Sequence, residues 1–304
     1  MQNDTANKNK RIVCWFSCGA ASAVATKLAI ENNKRKESPS ELVVASIYLK
    51  DEHPDSLRFL KECEAWFGQT IEILQNDKYE ASVDTVIAST RYMSGASGAR
   101  CTKELKKQVR LDWQRHDDLH VFGMTVEEEH RIDQLIDNEN ELDLWPVLIE
   151  QNMTKNDCFK IVEQAGIELP EMYKLGYNNN NCIGCLKAQS VGYWNKIRKD
   201  FKHVFDKRAE QERLLGVAMC RMAANRFIND YPEEFKRMFT DFELGLCSIK
   251  INAKGAMFIP LRYLPPDAGK HESAYVGDCG FFCETGDKKK WKMNTSTLKT
   301  LKIE

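Results

Sequence analysis

"RIVCWFSCGAASAVATKLAI", residues 11–30, begins as an apolar, β-branched run and ends as a helix-like one. The handover between them, Ser17-Cys18-Gly19-Ala20-Ala21-Ser22, is built of small residues. A turn that ends a strand and opens a helix can present backbone N–H groups to an anion, and the helix N-terminus adds partial positive charge. Ser17 and Ser22 contribute hydroxyl donors, and Gly19 is expected to supply a backbone geometry closed to bulky residues. Close packing alone is the other use of small residues at such a turn. The segment has no Lys of the Walker type and no G-x-G-x-x-G.

Working outward, "RIVCWFS" and "ELVVASIYL" are apolar throughout, as strands covered on both faces are, and "TIEIL" and "LHVFGM" are shorter runs of the same kind. Helical patterns lie between them at Ala20–Glu31, Asp55–Phe67 and Thr102–Trp113. The alternation predicts an α/β fold, a mostly parallel sheet with helices on both faces. Ligands of such sheets bind at the carboxyl ends of the strands, so the loops after Phe16, Leu49 and Met124 should share one rim. "YMSGASGARC" (residues 92–101) reads as a mobile loop, and the acidic stretch 125–145 as a solvated helix or loop. From about residue 200 the pattern turns helical, in 208–230 and 231–243. A less regular tail follows, with strand-like "SIKIN" and "AMFIPLRYL", then "DCGFFCE" and a lysine-rich end best read as solvated.

The balance of 44 basic and 45 acidic residues, net −1, exerts no global pull toward nucleic acid or a membrane. No apolar run is long enough to span a bilayer, and the polar start lacks the core of a secretion signal, so a soluble cytoplasmic protein without a membrane partner is expected. Eleven cysteines in a reducing compartment are thiols, metal ligands or redox centres. Cys14, Cys63, Cys158 and Cys220 sit in strand-like or amphipathic stretches and read as small buried hydrophobes. Cys182-x-x-Cys185 and Cys279-x-x-x-Cys283 are different. Two close pairs from distant segments can each supply one edge of a tetrahedral thiolate site, the alternative being a chance pairing of half-exposed thiols. Lys187 or nearby amides would help hold such thiols deprotonated.

Five segments in order resemble the PAPS reductase family, a branch of the PP-loop ATP pyrophosphatase (adenine nucleotide α-hydrolase-like) superfamily, and phage-encoded members look nearest. They are "SCGAASAV", "YLKDEHPDSLRFL", "GARCTKELKKQV", "VFGMTVEEEHR" and "PEMYKLGYNNNNCIGCLKA", spanning roughly residues 11–199. The resemblance implies a nucleotide-binding domain, which the change of pattern near Lys202 bounds at 11–201, after a disordered 1–10. A helical region over 202–304 follows, its cysteine-bearing tail packing back on the first domain. It also implies a pocket in which Ser17, Cys18, Gly19, Ala20, Ala21 and Ser22 hold phosphates and Asp51 borders the adenosine. Arg100, Lys103 and Arg131 would neutralise the sulfate or pyrophosphate end. Lys106 and Lys107 could clamp phosphate or sulfate groups beside the loop, with a solvated helix face the alternative, and His53 and His130 receive no role.

For the reaction, the resemblance implies a sulfonucleotide reductase. Cys279 or Cys283 would attack the sulfur of PAPS or APS, and a thioredoxin-like partner would reduce the product. A [4Fe–4S] cluster or Zn²⁺ would sit on Cys182, Cys185, Cys279 and Cys283, with Cys101 an alternative ligand. Ala21 stands where the adenylating members carry Asp, and Cys283 stands near the place of the reductases' terminal His. The alternatives are therefore an ATP- and Mg²⁺-dependent enzyme that adenylates a substrate for sulfur transfer, for example a nucleic-acid base, and a nucleotide-binding module without catalysis.

Overall fold

The first apolar run forms β1 (Ile12–Trp15), buried along its whole length. The computed structural model describes residues 10–95, 98–131 and 142–269. Of these, 10–85, 101–131 and 142–182 belong to one unit, and 86–95, 98–100 and 183–269 to a second. The expected disordered start (all but residue 10) and the cysteine-bearing tail lie outside the described residues.

In the first unit β1 is followed by α1 (Ala20–Lys34), β2 (Leu42–Ile47), α2 (Ser56–Phe67) and β3 (Ile71–Leu74). A π-helical stretch, Thr102–Lys107, then runs into α3 (Gln108–Trp113). Next come β4 (Leu119–Val121), β5 (Asp143–Leu144), α4 (Val147–Glu150) and α5 (Lys155–Gln164). The sheet order is β3-β2-β1-β4-β5 and every pairing is parallel, Ile12 standing beside Leu42 on one side and Leu119 on the other. The chain builds away from β1 in one direction and then returns to build in the other, so the order reverses between β1 and β4.

Strand periodicity divides the core into two layers. Ile12, Cys14 and Phe16 pack with Val24 of α1, Phe59 and Cys63 of α2, and Cys158 and Val162 of α5. Val13 and Trp15 pack with Ala45, Ile47, Phe122 and Val109 of α3 on the opposite face. Helices thus cover both faces, as the unbroken apolar runs require, and the fold is α/β. Cys14, Cys63, Cys158 and Cys220 are all fully buried. On the α3 face the Trp15 Nε1 donates to His120 Nδ1 at 2.9 Å. Burial, with Arg110 adding repulsion, lowers the pKa of that imidazole to about 4.

Two expectations change. Asp143–Leu144 of the acidic stretch is a short edge strand, because His120 and Leu119 of β4 offer it backbone partners. The 208–230 run is not one helix. In the second unit α6 (Val191–Asp200) and α7 (Lys202–Leu215) are followed by β6 (Cys220–Ala223), α8 (Ala224–Asp230), α9 (Pro232–Glu243), β7 (Lys250–Ile251) and β8 (Ala256–Ile259). Gly216 stops α7 with a left-handed φ of 63°, and Cys220–Ala223 pairs antiparallel with β8 in the sheet β6-β8-β7. Glu212 ties these pieces together by accepting from Met219 N at 2.7 Å and Leu261 N at 2.6 Å. Among the described residues no helix is long and apolar enough to cross a membrane.

Candidate functional site

The β1–α1 turn lies at the carboxyl end of β1, beside the point where the strand order reverses. Its geometry differs from expectation in one respect. Gly19 has φ −102° and ψ 155°, ordinary extended backbone. The left-handed residue is Cys18, at φ 56°. A side-chain-bearing residue in that region costs about 1–2 kcal/mol, and two features offset it. The Cys18 side chain is buried, and Asn180 Nδ2 donates to the Cys18 carbonyl at 2.8 Å. At position 19 a Cβ would stand 3.2 Å from the Tyr173 hydroxyl, a tight contact.

Ser22 closes the turn. Its Oγ accepts from Ser17 N and Ser17 Oγ, both at 3.1 Å, and donates its proton to Gly19 O at 2.9 Å. The hydroxyl is therefore turned into the loop, where it sets the loop's shape. Helix α1 begins with Gly19 as N-cap and receives no side-chain cap, nor is there an acidic residue in its first turn. Ala20 N makes a long contact of 3.4 Å with the Tyr173 hydroxyl. The next amides, Ala21 and Ser22, have no partner within the helix by construction. Gly123, just past β4, lies directly against this first turn: a Cβ on it would stand 2.4 Å from Ser22 N and 2.5 Å from Ser22 Cα. The end of β4 and the start of α1 therefore meet backbone to backbone.

A strap of residues 168–181 crosses the carboxyl edge of β1 and β2. Arg58 of α2 is held by Asp55 at 2.6 and 2.9 Å and donates to the carbonyls of Glu168 at 3.1 Å and Leu169 at 3.3 Å. Asp55 also accepts from Glu171 N at 2.9 Å, and the Arg58 guanidinium keeps its pKa below the usual carboxylate range. Further along, Lys155 bonds Asn179, and Asn180 reaches Cys18 O and, at 3.0 Å, Ser56 Oγ at the start of α2. Three of the four consecutive asparagines, Asn179, Asn180 and Asn181, are buried. The sequence showed the run without a role for it; a polar run among buried neighbours was the available signal.

The other expected residues are distributed as follows. Asp51 accepts from Val83 N at 2.7 Å. Its neighbour Glu52, not singled out from the sequence, pairs at 3.6 Å with Lys106; the lysine is buried and the carboxylate side chain is 11% exposed. Lys106 is therefore not on a solvated face: the π-helical stretch turns it inward. Cys18 lies within electrostatic reach of this pair, and burial, reinforced by Glu52, raises its thiol pKa well above the ordinary value. Removing one member of a buried ion pair strands the other at a cost of ~3–5 kcal/mol. Lys103 is exposed. Arg131 is paired with Glu128 within its own turn. Arg100 belongs to the second unit, where its N donates to Met93 O at 3.2 Å.

Cys101 is half-buried, while Cys182 and Cys185 are buried. In the second unit Cys185 N donates to the Tyr193 hydroxyl at 2.9 Å. Gly184 beside it is left-handed, with Val204 2.7 Å from where a Cβ would be. Cys279 and Cys283 lie outside the described residues. Among the described residues no three His, Cys, Asp or Glu side chains are grouped as a metal would require. No protein-family model matches the chain, and a search of curated proteins returned no match.

Proposed function

We propose that this chain is an adenine-nucleotide-binding enzyme of sulfur chemistry, similar to the PAPS reductases. One observation carries the reading: a helix begins without a capping side chain where the order of an all-parallel sheet reverses, with Gly123 pressed against its first turn. That is where open α/β sheets bind ligands, and an uncapped helix start suits phosphate or sulfate.

In this reading the amides from Gly19 to Ser22 face the phosphates, Asp51 and its backbone border the adenosine, and Lys103 and Arg131 neutralise the anionic end. The Cys279 or Cys283 thiolate attacks the sulfur of PAPS or APS. The bond from sulfur to the bridging oxygen breaks, the nucleotide leaves with that oxygen, and the sulfonate remains on the cysteine. A thioredoxin-like dithiol then displaces sulfite and becomes a disulfide, returning the thiol. A [4Fe–4S] cluster or Zn²⁺ belongs to the same reading through Cys182, Cys185, Cys279 and Cys283, with Cys101 as alternative ligand. No step is assigned to it.

The test is titration of the full chain with PAPS, APS and ATP, followed by assays for sulfite release with thioredoxin and for pyrophosphate release from ATP with Mg²⁺. Binding with sulfite release is expected, and Gly19→Val should weaken binding by about tenfold or more, equivalent to ~1.4 kcal/mol. Unchanged affinity in both Gly19→Val and Ser22→Ala removes the turn from the site. Pyrophosphate without sulfite replaces the reductase by an adenylating sulfur transferase. Binding with neither product leaves a nucleotide-binding module.

A further inference from the structure

We propose that Asn180 orients the anion-facing peptide of the β1–α1 turn, acting through Cys18 without touching the ligand. The inference rests on the nucleotide reading above and adds to it a positioning residue from a distant part of the chain. The described residues contain no cis peptide bond, so the C=O and N–H of the Cys18–Gly19 peptide point in opposite directions. Asn180 Nδ2 draws the Cys18 carbonyl inward at 2.8 Å. The Gly19 N–H is thereby aimed the other way, out of the turn and alongside the first amides of α1.

The way Asn180 is held shows what the position requires. The residue is 7% exposed, and its Oδ1 has no hydrogen-bond partner among the described residues. A buried acceptor left unmatched is costly, and a side chain serving only to fill space would need no amide. Turning the amide over would set Oδ1 against the Cys18 carbonyl, so the donor orientation is determined. The two donated bonds, to Cys18 O and Ser56 Oγ, join the turn after β1 to the start of α2. Without them the peptide between a left-handed Cys18 and an unhindered glycine is free to turn over, and the Gly19 N–H would then point inward.

The experiment titrates the full chain with ATP, PAPS and adenosine, in the wild type, Asn180→Ala and Asn180→Asp. Asn180→Ala should weaken ATP and PAPS by about tenfold or more (~1.4 kcal/mol) and adenosine by less than about twofold. Asn180→Asp should show the same selective loss at neutral pH. It should recover on acidification, as the protonated acid donates to Cys18 O, while the wild type shows no such recovery. Full affinity of Asn180→Ala for ATP and PAPS, or an equal loss for adenosine, overturns the inference alone. A wild type that binds none of the three overturns the nucleotide reading and the inference with it. If the variants do not fold, amide NMR of the wild type decides. The Gly19 N–H must shift more with ATP than with adenosine, and equal shifts overturn the proposal.

Discussion

Helices α1 and α5 pack against each other on one face of the sheet, and they begin in opposite ways. At α5 the Thr154 hydroxyl accepts from Asp157 N at 3.2 Å, and Asp157 accepts from Thr154 N at 3.0 Å and Thr154 Oγ1 at 2.6 Å. That helix satisfies its first turn from its own sequence, through a reciprocal capping box. At α1 a glycine stands at the cap and alanines follow, and among the described residues the side-chain contact to its first turn is a distant tyrosine hydroxyl, 3.4 Å from Ala20 N. Of two neighbouring helices on one core, the self-capped start has no demand for an outside anion. The open one is framed by three residues from two other parts of the chain, Gly123 after β4 and Tyr173 and Asn180 of the strap.

The largest way to break this contrast is Gly123→Ala. The added methyl would meet Ser22 backbone at 2.4 Å, where no side chain can swing aside. A loss of about 2–3 kcal/mol by urea denaturation is expected, together with loss of nucleotide binding. Unchanged stability and affinity would show that β4 does not frame the open start. A smaller change, Thr154→Ala, should cost about 1 kcal/mol and leave nucleotide affinity unaltered. A fall in affinity there would mean the two helix starts are not separate in function.

The smallest effect is one of pH. The Thr154 hydroxyl and amide hold the Asp157 pKa below its ordinary value. A depressed carboxylate contributes its stabilisation in full above the unfolded-state pKa, and that contribution disappears as pH falls through the lowered native value. α1 has no acidic group in its first turn. Hydrogen exchange in the first turn of α5 should therefore rise relative to that of α1 in this acidic window. A parallel rise in both would contradict the contrast.

Much of the sheet was legible. β1 is an apolar run buried along its whole length, and a strand buried on both sides leaves that mark in composition alone. β5 left no such mark, because two residues, Asp143 and Leu144, become a strand only through the edge that β4 offers. The Cys220–Ala223 strand was hidden in a helical pattern, since the pattern does not register the stop at Gly216 or the partner β8. At the site, the turn and Gly123 were visible as motif residues. Lys106 was not visible as a buried residue, because the π-helical turn rotates it relative to an α-helical count and Glu52 lies far away in sequence.

The sequence by itself determined that a strand hands over to a helix through small residues within an α/β domain, because hydrophobic period and side-chain size are local properties. It also excluded the Walker and G-x-G-x-x-G patterns. Only the tertiary structure decided that Cys18, not Gly19, takes the left-handed conformation, and that a tyrosine hydroxyl stands close to Gly19. Likewise, only the fold placed an asparagine 162 residues along the chain on the carbonyl that sets the direction of the turn's amide. The physical reason is that backbone direction in a turn is chosen by whichever donors and acceptors folding brings beside it, and those partners come from segments that no local pattern connects.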